Sequence, residues 1–436
     1  MSYERRVLLR HSLASIVALG ITGLSRFLYS VIIARRFGVD VLGTANSLIS
    51  KAFFVAIPLS FFAVALGKYS SEFLGRDDID AVRSITLPAF LMPVIGLLLL
   101  PFNMYLSLLA VFRAVQLTFR SFLYGIHRGE HYAYVIVVSF IGFALGFLVP
   151  DVFAPYLVFL GVIAFVSAVY LWVAGFVVRP RWEYLRLMVT YSSFAFLGTL
   201  SGVFLVQGPY FMSERLLGSE AAGEVSAVLS AVFLLTYIPQ VLQSAIMPMF
   251  SYKHGRAERG YVKNLAEEVT EFIVLITGSL VFILMIFGRE ILSAVFGFEI
   301  GPSFYLALMA IEIYVAYNPS IVALNSTAYV KRGTLVSLLG AGVALVSWFL
   351  LVPVTGSVGV MGGLLLAYAT ILAGVVYYSK SLLGISPYVY LPLIAALILQ
   401  ASVFVSKYLL LMAFGVFLFL ELPVVRSLLE LIRGVS

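Results

Sequence analysis

The chain is a succession of apolar stretches, each about 20 residues long and separated by short polar segments. One such stretch is long enough for an α-helix to cross the core of a bilayer. Within lipid every backbone N–H and C=O must be satisfied internally, which separate spanning segments achieve as helices. The pattern therefore predicts an all-α membrane protein of about fourteen transmembrane helices, near residues 12–34, 41–67, 84–102, 104–126, 132–150, 154–178, 188–212, 222–250, 268–288, 303–328, 334–353, 358–379, 388–405 and 408–426.

Composition excludes a soluble domain and argues against a nucleic-acid partner. Only 11% of the 436 residues are charged and 62% are hydrophobic, whereas soluble domains carry roughly 25% charged residues. The net charge is +7, but the basic residues stand singly or in short groups between apolar spans, without the patch of interleaved aromatic residues that nucleic-acid binding favours. The absence of cysteine excludes disulfides and thiolate chemistry.

The distribution of lysine and arginine predicts the orientation. With the N-terminus inside, the inner segments hold twenty of these residues, and the outer segments hold five, which are Arg35, Arg36, Arg215, Arg289 and Lys407. Cytoplasmic loops carry such an excess. We expect a multi-pass protein of the cytoplasmic (plasma) membrane with both termini cytoplasmic.

An internal repeat divides the chain. ARRFGVDVLG (34–43) matches ERLLGSEAAG (214–223) at an offset of 180 residues, which places Gly38 on Gly218 and Gly43 on Gly223. Further along, Arg128-Gly129 matches Arg332-Gly333 at an offset of 204, which predicts 24 inserted residues near the segment 289–302. Both copies start on the same side of the membrane, so the repeats are parallel, as in transporters whose halves rock against one another.

The repeat predicts the domain organisation. We expect an N-terminal six-helix half at 1–178, a cytoplasmic linker at 179–187, a C-terminal six-helix half at 188–380 and two extra helices at 381–436.

Three stretches carry a resemblance to a known family: SRFLYSVIIARRFGVDVLGTANSLISKAFF (25–54), ALGKYSSEFLGRDD (65–78) and RSFLYGIHRGEHYAY (120–134). With them the chain resembles the multidrug/oligosaccharidyl-lipid/polysaccharide (MOP) exporter superfamily, in the polysaccharide-flippase branch that includes O-antigen flippases and the lipid II flippase. The resemblance implies a flippase for polyprenyl-(di)phosphate-linked saccharides with a cationic central cavity, and it places Arg26 at an arginine of that cavity.

Four basic residues within spans form the candidate binding site for a phosphate headgroup: Arg26, Lys51, Arg113 and Arg120. Charges in the membrane are costly and face water or a partner. Arg113, Gln116, Arg120 and Tyr124 share one helix face. Under the two offsets the four cations correspond to Val206, Ala231, Tyr317 and Leu324, so the duplicated scaffold alone does not explain them.

Neutral polar residues within spans are the candidates for contact with saccharide hydroxyls: Gln116, Gln207, Gln240, Gln243, Asn318, Asn325 and Tyr317. Glu312 is the one carboxylate well inside a predicted span and is the candidate for ion coupling by Na⁺ or H⁺. Interhelical pairing, for example of Arg113 with Glu312, is the alternative for each cation, and Arg120 lies near enough to a span end to snorkel.

These observations predict a monomeric transporter that moves a lipid-linked oligosaccharide to the outer leaflet by alternating access, in contact with membrane lipids and without a cofactor. We find no catalytic constellation, because His127-x-x-Glu130-His131 has the spacing of a zinc motif but shows no third ligand. A multidrug or cation antiporter of the same superfamily is one alternative. Such an antiporter would be expected to hold a carboxylate in its first helix, and residues 12–34 contain none. A membrane scaffold for a glycan-synthesis complex is the other.

Overall fold

The computed structural model describes residues 3–241, 250, 259–327 and 329–424. The described chain is built from helices, in two compact units, Met1–Gly223 and Glu224–Ser436. The division falls inside one helix, which we number α9. The first unit contains α1 (Tyr3–Phe37), α2 (Val39–Leu59), α3 (Ala63–Leu74), α4 (Ile79–Leu91), α5 (Met104–Gly125), α6 (Gly129–Gly146), α7 (Ala154–Val173), α8 (Trp182–Leu217) and the start of α9 (Ser219–Val232).

In its described residues the second unit continues from α9 through six further helices and three 3-10 segments, at Phe233–Thr236, Pro387–Tyr390 and Ala401–Phe404. The helices are α10 (Arg259–Phe296), α11 (Ser303–Asn325), α12 (Val330–Thr355), α13 (Ser357–Leu383), α14 (Leu391–Gln400) and α15 (Lys407–Leu420). Its centre is α11, the most buried span of the chain, which packs against α10, α12 and α13.

The all-α membrane fold is confirmed. Thirteen helical spans in the described residues are long and apolar enough to cross a membrane, and α15 is a shorter apolar helix of 14 residues. The span nearest the C-terminus is therefore shorter than the predicted 408–426 stretch.

Two of the interruptions in the predicted spans lie at prolines. The stretch 41–67 is divided because α2 ends at Leu59 and α3 starts at Ala63. Pro58 lies at this break, where proline removes a backbone donor and its ring crowds the preceding turn. Similarly, α4 passes into a 3-10 segment, Met92–Leu99, whose start contains Pro93.

The segment near which the inserted residues are predicted is not a loop throughout. The helix α10 is 38 residues long and runs to Phe296, which leaves only residues 297–302 of the segment 289–302 outside a helix. The corresponding part of the first half is α4, which ends after 13 residues, and its short 3-10 continuation. Most of the added length therefore extends a helix.

The fold requires glycine at the repeated positions for two reasons, and each reason applies to both copies of the repeat. Gly38 and Gly218 end α1 and α8 with φ of 99° and 89° and ψ of 167° and 178°, a conformation that side chains with a Cβ avoid. A Cβ at Gly43 would overlap the backbone oxygen of Ser219, and a Cβ at Gly223 would overlap the backbone oxygen of Val39. Ser219 corresponds to Val39 at the offset of 180 residues. The contact between the starts of α2 and α9 is therefore reciprocal, as at a two-fold interface: Gly43 meets Ser219, and Gly223 meets Val39.

Candidate functional site

The first unit contains a cluster of polar side chains on α1, α2, α5 and α8, which we call the cation cluster. Its charged members are Arg26, Lys51, Arg113 and Glu214. The three cations lie near the middle of α1, α2 and α5, and each is only half-buried. Partial exposure at that depth is what a charge requires if water or a ligand is to solvate it.

Arg26 connects α1 to α2 and α8. Its Nη1 donates to Oε1 of Gln207 at 3.2 Å and its Nη2 donates to Oγ of Ser50 at 3.1 Å. The guanidinium also lies over the ring of Tyr210, with Cζ 4.3 Å from the ring centroid. Stacking and directed hydrogen bonds hold the planar guanidinium in one orientation.

Phe53 brings two arginines of the cation cluster together. Cζ of Arg113 lies 4.6 Å from the Phe53 ring centroid and Cζ of Arg26 lies 5.9 Å from it. Attraction between a cation and the π face offsets part of the repulsion between the two guanidinium groups. Phe53 lies two residues after Lys51 on α2, so one helix presents both the ring and the third cation.

Arg113 is also held from its own helix. Its Nη1 donates to Oε1 of Gln116 at 2.5 Å, and Nε2 of Gln116 donates to the hydroxyl of Tyr132 on α6 at 3.2 Å. Gln116 is almost fully buried. In this structure Gln116 therefore orients an arginine.

Lys51 pairs with a residue that sequence reasoning missed. Its Nζ donates to Oε2 of Glu214 on α8 at 2.6 Å, and Oγ of Ser47 donates to the same oxygen at 2.5 Å. The side chains of Lys51 and Glu214 are 43% and 24% exposed. Glu214 falls just beyond the predicted span 188–212, but its counterpart at the offset of 180 residues is the apolar Ala34, and this asymmetry was the available signal.

The cation cluster has more basic than acidic members. Three cations and Glu214 leave a net charge of +2 within a few side-chain lengths of Phe53. Three neutral side chains accept hydrogen bonds from the arginines: Gln207, Ser50 and Gln116. The arrangement is therefore suited to an anionic group such as phosphate, which the arginine fork binds through paired N–H donors.

Arg120 lies apart, beside a cavity of about 380 Å³ in the first unit. The cavity opens where the chain breaks between α2 and α3, and Ser60 and Phe61 line that side. Arg120 and Tyr124 of α5 line it as well, and Thr199 of α8 contributes a hydroxyl group. The cavity walls are mostly apolar, and Arg120 is the single charged side chain among the residues that line them.

The polar residues predicted in the second half have their own local contacts where they are described. Tyr317 is buried in a cluster of rings with Tyr314 and Tyr368, at centroid distances of 5.7 and 6.3 Å. Asn318 bonds to Tyr314, and Asn325 lies against Gly333 at the start of α12. Gln240 is half-buried, and Gln243 lies outside the described residues.

Glu312 is fully buried in α11, and so is Gln400 at the end of α14. Nε2 of Gln400 donates to Oε2 of Glu312 at 2.7 Å. The remaining oxygens, Oε1 of Glu312 and Oε1 of Gln400, have no hydrogen-bond partner among the described residues.

The zinc-like motif has a local structural setting. His127 lies between α5 and α6 with φ of 58°, its Nε2 is 3.3 Å from Oγ of Ser71, and burial lowers its pKa. The ring of His131 contacts Tyr170 on α7. Among the residues that the structure describes, no three His, Cys, Asp or Glu side chains meet as metal ligands do.

Comparison with solved structures identifies the fold. The chain is similar to the lipid II flippase MurJ in an inward closed conformation, with a TM-score of 0.64 and 13% identity over 97% of this chain and 99% of that one. It is similar to a MATE-family multidrug resistance transporter of the MOP superfamily in its inward-facing conformation, with a TM-score of 0.62 and 15% identity over 84% and 98%. A MOP superfamily transporter from Pyrococcus furiosus, described as having a binding pocket of reverse polarity, gives a TM-score of 0.58 and 10% identity over 91% and 96%.

No protein-family model and no curated protein matches the chain. The likeness to solved structures nevertheless extends over nearly the whole chain, so the resemblance to the MOP superfamily is confirmed at the level of the fold. A lipid II flippase and a multidrug resistance transporter are thus among the solved structures that share this fold. The fold does not choose between their substrates.

Proposed function

We propose that this protein is a flippase that moves a polyprenyl-(di)phosphate-linked saccharide from the cytoplasmic to the outer leaflet of the plasma membrane by alternating access. The observation that carries the proposal is the net positive charge of the cation cluster. Arg26, Lys51 and Arg113 lie near the middle of helices long enough to span a membrane, where a charge without a function would be costly.

The charge of the cation cluster matches that of the proposed headgroup. A diphosphate with one negative charge on each phosphate neutralises the net +2 left after Glu214 pairs with Lys51. Phe53 and Gln116 fix the direction of Arg113, so the donors are in place before the ligand arrives. Such preorganisation lowers the entropic cost of binding.

Arg120 supplies a second place for an anion on the same helix face as Arg113. The two residues are seven positions apart, which is about two turns or 10 Å along α5. The cavity beside Arg120 has apolar walls, as suits the part of a prenyl chain next to its phosphate. We infer that a headgroup passes from one arginine to the other.

The prenyl tail is too apolar for a charged cavity and stays in lipid while the headgroup moves. The two helices beyond the repeat, α14 and α15, present large apolar side chains outward, and Ile398, Met412 and Phe419 are each about 70% exposed. These helices are candidates to border the path of the tail.

The test uses proteoliposomes that contain a polyprenyl diphosphate carrying a labelled saccharide. We expect Arg26→Ala and Arg113→Ala to abolish movement of the label between leaflets, and the lysine variants to recover it only in part, because the paired donors are lost. Arg36→Ala is the matched control, since Arg36 is an exposed arginine of α1 that donates to the carbonyl of Phe147 at 2.8 Å, outside the cation cluster. Wild-type rates for both alanine variants, at equal folded protein, would contradict the proposal.

A multidrug or cation antiporter is the second candidate, and Glu214 favours it. This carboxylate lies in the membrane-spanning part of α8 and is partly exposed, so a cationic substrate or a proton could compete with Lys51 for it. Glu214→Gln distinguishes the two functions. An antiporter loses efflux of cationic drugs with this variant, whereas a flippase keeps its diphosphate site and becomes more positive.

A further inference from the structure

The buried contact between α11 and α14 in the second unit contains two acceptor atoms that face no donor. Glu312 and Gln400 are both 0% exposed, and one hydrogen bond of 2.7 Å joins Nε2 of Gln400 to Oε2 of Glu312. Oε1 of each residue has no partner among the described residues. A buried polar atom without a partner is costly, and a buried charge without a cation is more so.

The surroundings of Glu312 offer no compensating charge. A Cβ built on Gly278 of α10 would lie 3.2 Å from Oε1 of Glu312 and 2.7 Å from the Phe417 ring of α15. The carboxyl oxygen is therefore enclosed by a glycine backbone and an aromatic ring. A hard cation such as Ca²⁺ or Mg²⁺ takes about six or more oxygen ligands, and this setting supplies too few.

The titratable side chains described below, on α11 itself and on elements that pack against it, do not contact Glu312. The hydroxyl of Tyr390 donates to Ser320 at 2.7 Å, two turns along α11. Tyr314, Tyr317 and Tyr368 form their ring cluster towards α13, on a different face of α11 from Glu312. The 3-10 segment Phe233–Thr236 has no titratable side chain, and α12 carries its charged side chains, Lys331 and Arg332, in its first turn.

We propose that Glu312 is a proton-binding site, and that the proton on Oε1 joins Glu312 to Gln400 as an acid–amide pair. A protonated carboxyl gains one O–H donor. Directed at Oε1 of Gln400, this donor satisfies both orphaned oxygens at once and completes a ring of two hydrogen bonds. No covalent bond other than O–H changes, and the proton comes from water.

The consequence is a proton-dependent attachment of the two C-terminal helices. Two hydrogen bonds join α11 to the segment 387–420 among the described residues, Glu312 with Gln400 and Ser320 with Tyr390. Loss of the proton leaves a carboxylate against an amide oxygen and a phenylalanine ring, so α14 and α15 separate from α11 more easily. This inference concerns the second unit and does not depend on the proposed function of the cation cluster.

Infrared spectroscopy of the full-length protein in lipid tests for the proton. A protonated carboxylic acid has a carbonyl stretch that a carboxylate lacks. We expect this band at neutral pH in the wild type and its loss in Glu312→Gln, which keeps the shape and pairs with Gln400 through two amide hydrogen bonds. Glu214→Gln is the matched control, because it removes a carboxyl group that bonds to Lys51 instead of Gln400, and it should leave the acid band unchanged.

A second variant keeps the proposal testable if Glu312→Gln does not fold. Gln400→Leu removes the amide, so the acid band should shift in frequency and the midpoint of thermal unfolding should fall by several degrees. In Glu312→Gln the midpoint should stay close to wild type at neutral pH and become less dependent on pH. An acid band that is absent from the wild type, or is unchanged in both variants, overturns the proposal.

Discussion

The reciprocal crossing of α2 and α9 predicts which glycines the fold requires. A Cβ at Gly43 would overlap the backbone oxygen of Ser219 and also crowd the backbone nitrogen of Gly223. The neighbours are backbone atoms, which are unable to rotate away as a side chain end does. Gly43→Ala and Gly223→Ala should therefore push the two helices apart.

The size of the effect follows from two opposing terms. Forcing an extra carbon into a packed contact costs about 1–3 kcal/mol, and alanine gains about 0.8–1.0 kcal/mol over glycine within a helix. At Gly202 in α8 nothing lies within 4 Å of a built Cβ, so Gly202→Ala has only the favourable term. The difference between Gly43→Ala and Gly202→Ala isolates the steric cost of about 1–3 kcal/mol.

Thermal unfolding of purified protein in nanodiscs, followed by tryptophan fluorescence, is a suitable assay. We expect a midpoint below wild type for Gly43→Ala and Gly223→Ala, and at or above wild type for Gly202→Ala. The double variant should be less destabilised than the sum of the singles, because the first substitution already separates the helices at the shared crossing. If Gly43→Ala and Gly202→Ala have the same unfolding midpoint, the close approach of α2 and α9 is not a property of the folded protein.

Three further predictions concern single contacts. Phe53→Leu should weaken binding of polyprenyl diphosphate in a titration by about 0.5–2 kcal/mol because the ring between the two arginines is lost, while Phe53→Tyr should bind as wild type does. Lys51→Met should lower the unfolding midpoint, and adding Glu214→Gln to it should restore part of the loss. Strictly additive effects of the two substitutions would rule out an interaction between Lys51 and Glu214. Trp348→Phe should destabilise by about 1–3 kcal/mol because the buried indole N–H donates to a carbonyl at 2.9 Å, and Trp172→Phe, at a position that is 76% exposed, should change the midpoint little.

Much of the fold could be predicted from local patterns in the sequence. Apolar length predicts spanning helices because each helix satisfies its own backbone hydrogen bonds, whatever its neighbours are. The repeated glycines at 38 and 218 also follow from the sequence, since both occupy a backbone conformation that depends on local chain geometry. The cations of the first half were identifiable because charges within apolar spans are expensive.

Helix breaks were only partly predictable. Pro58 and Pro93 lie at two of the interruptions, but the extent of each interruption depends on which neighbours compensate the lost backbone bonds. The segment 289–302 looked like a loop because it contains charges, glycines and a proline. Arg289 instead stays helical, where its Nε donates to the carbonyl of Ile300 at 2.6 Å.

The partners of the charged side chains were decided by tertiary structure. Helical spacing shows which residues share a face, but the residue that meets that face comes from a helix that is distant in the chain. Glu214 is 163 residues from Lys51 and Gln400 is 88 residues from Glu312. These pairs exist because helix crossings bring the atoms within 3 Å, and a crossing depends on the packing of many side chains at once, which no local sequence pattern contains.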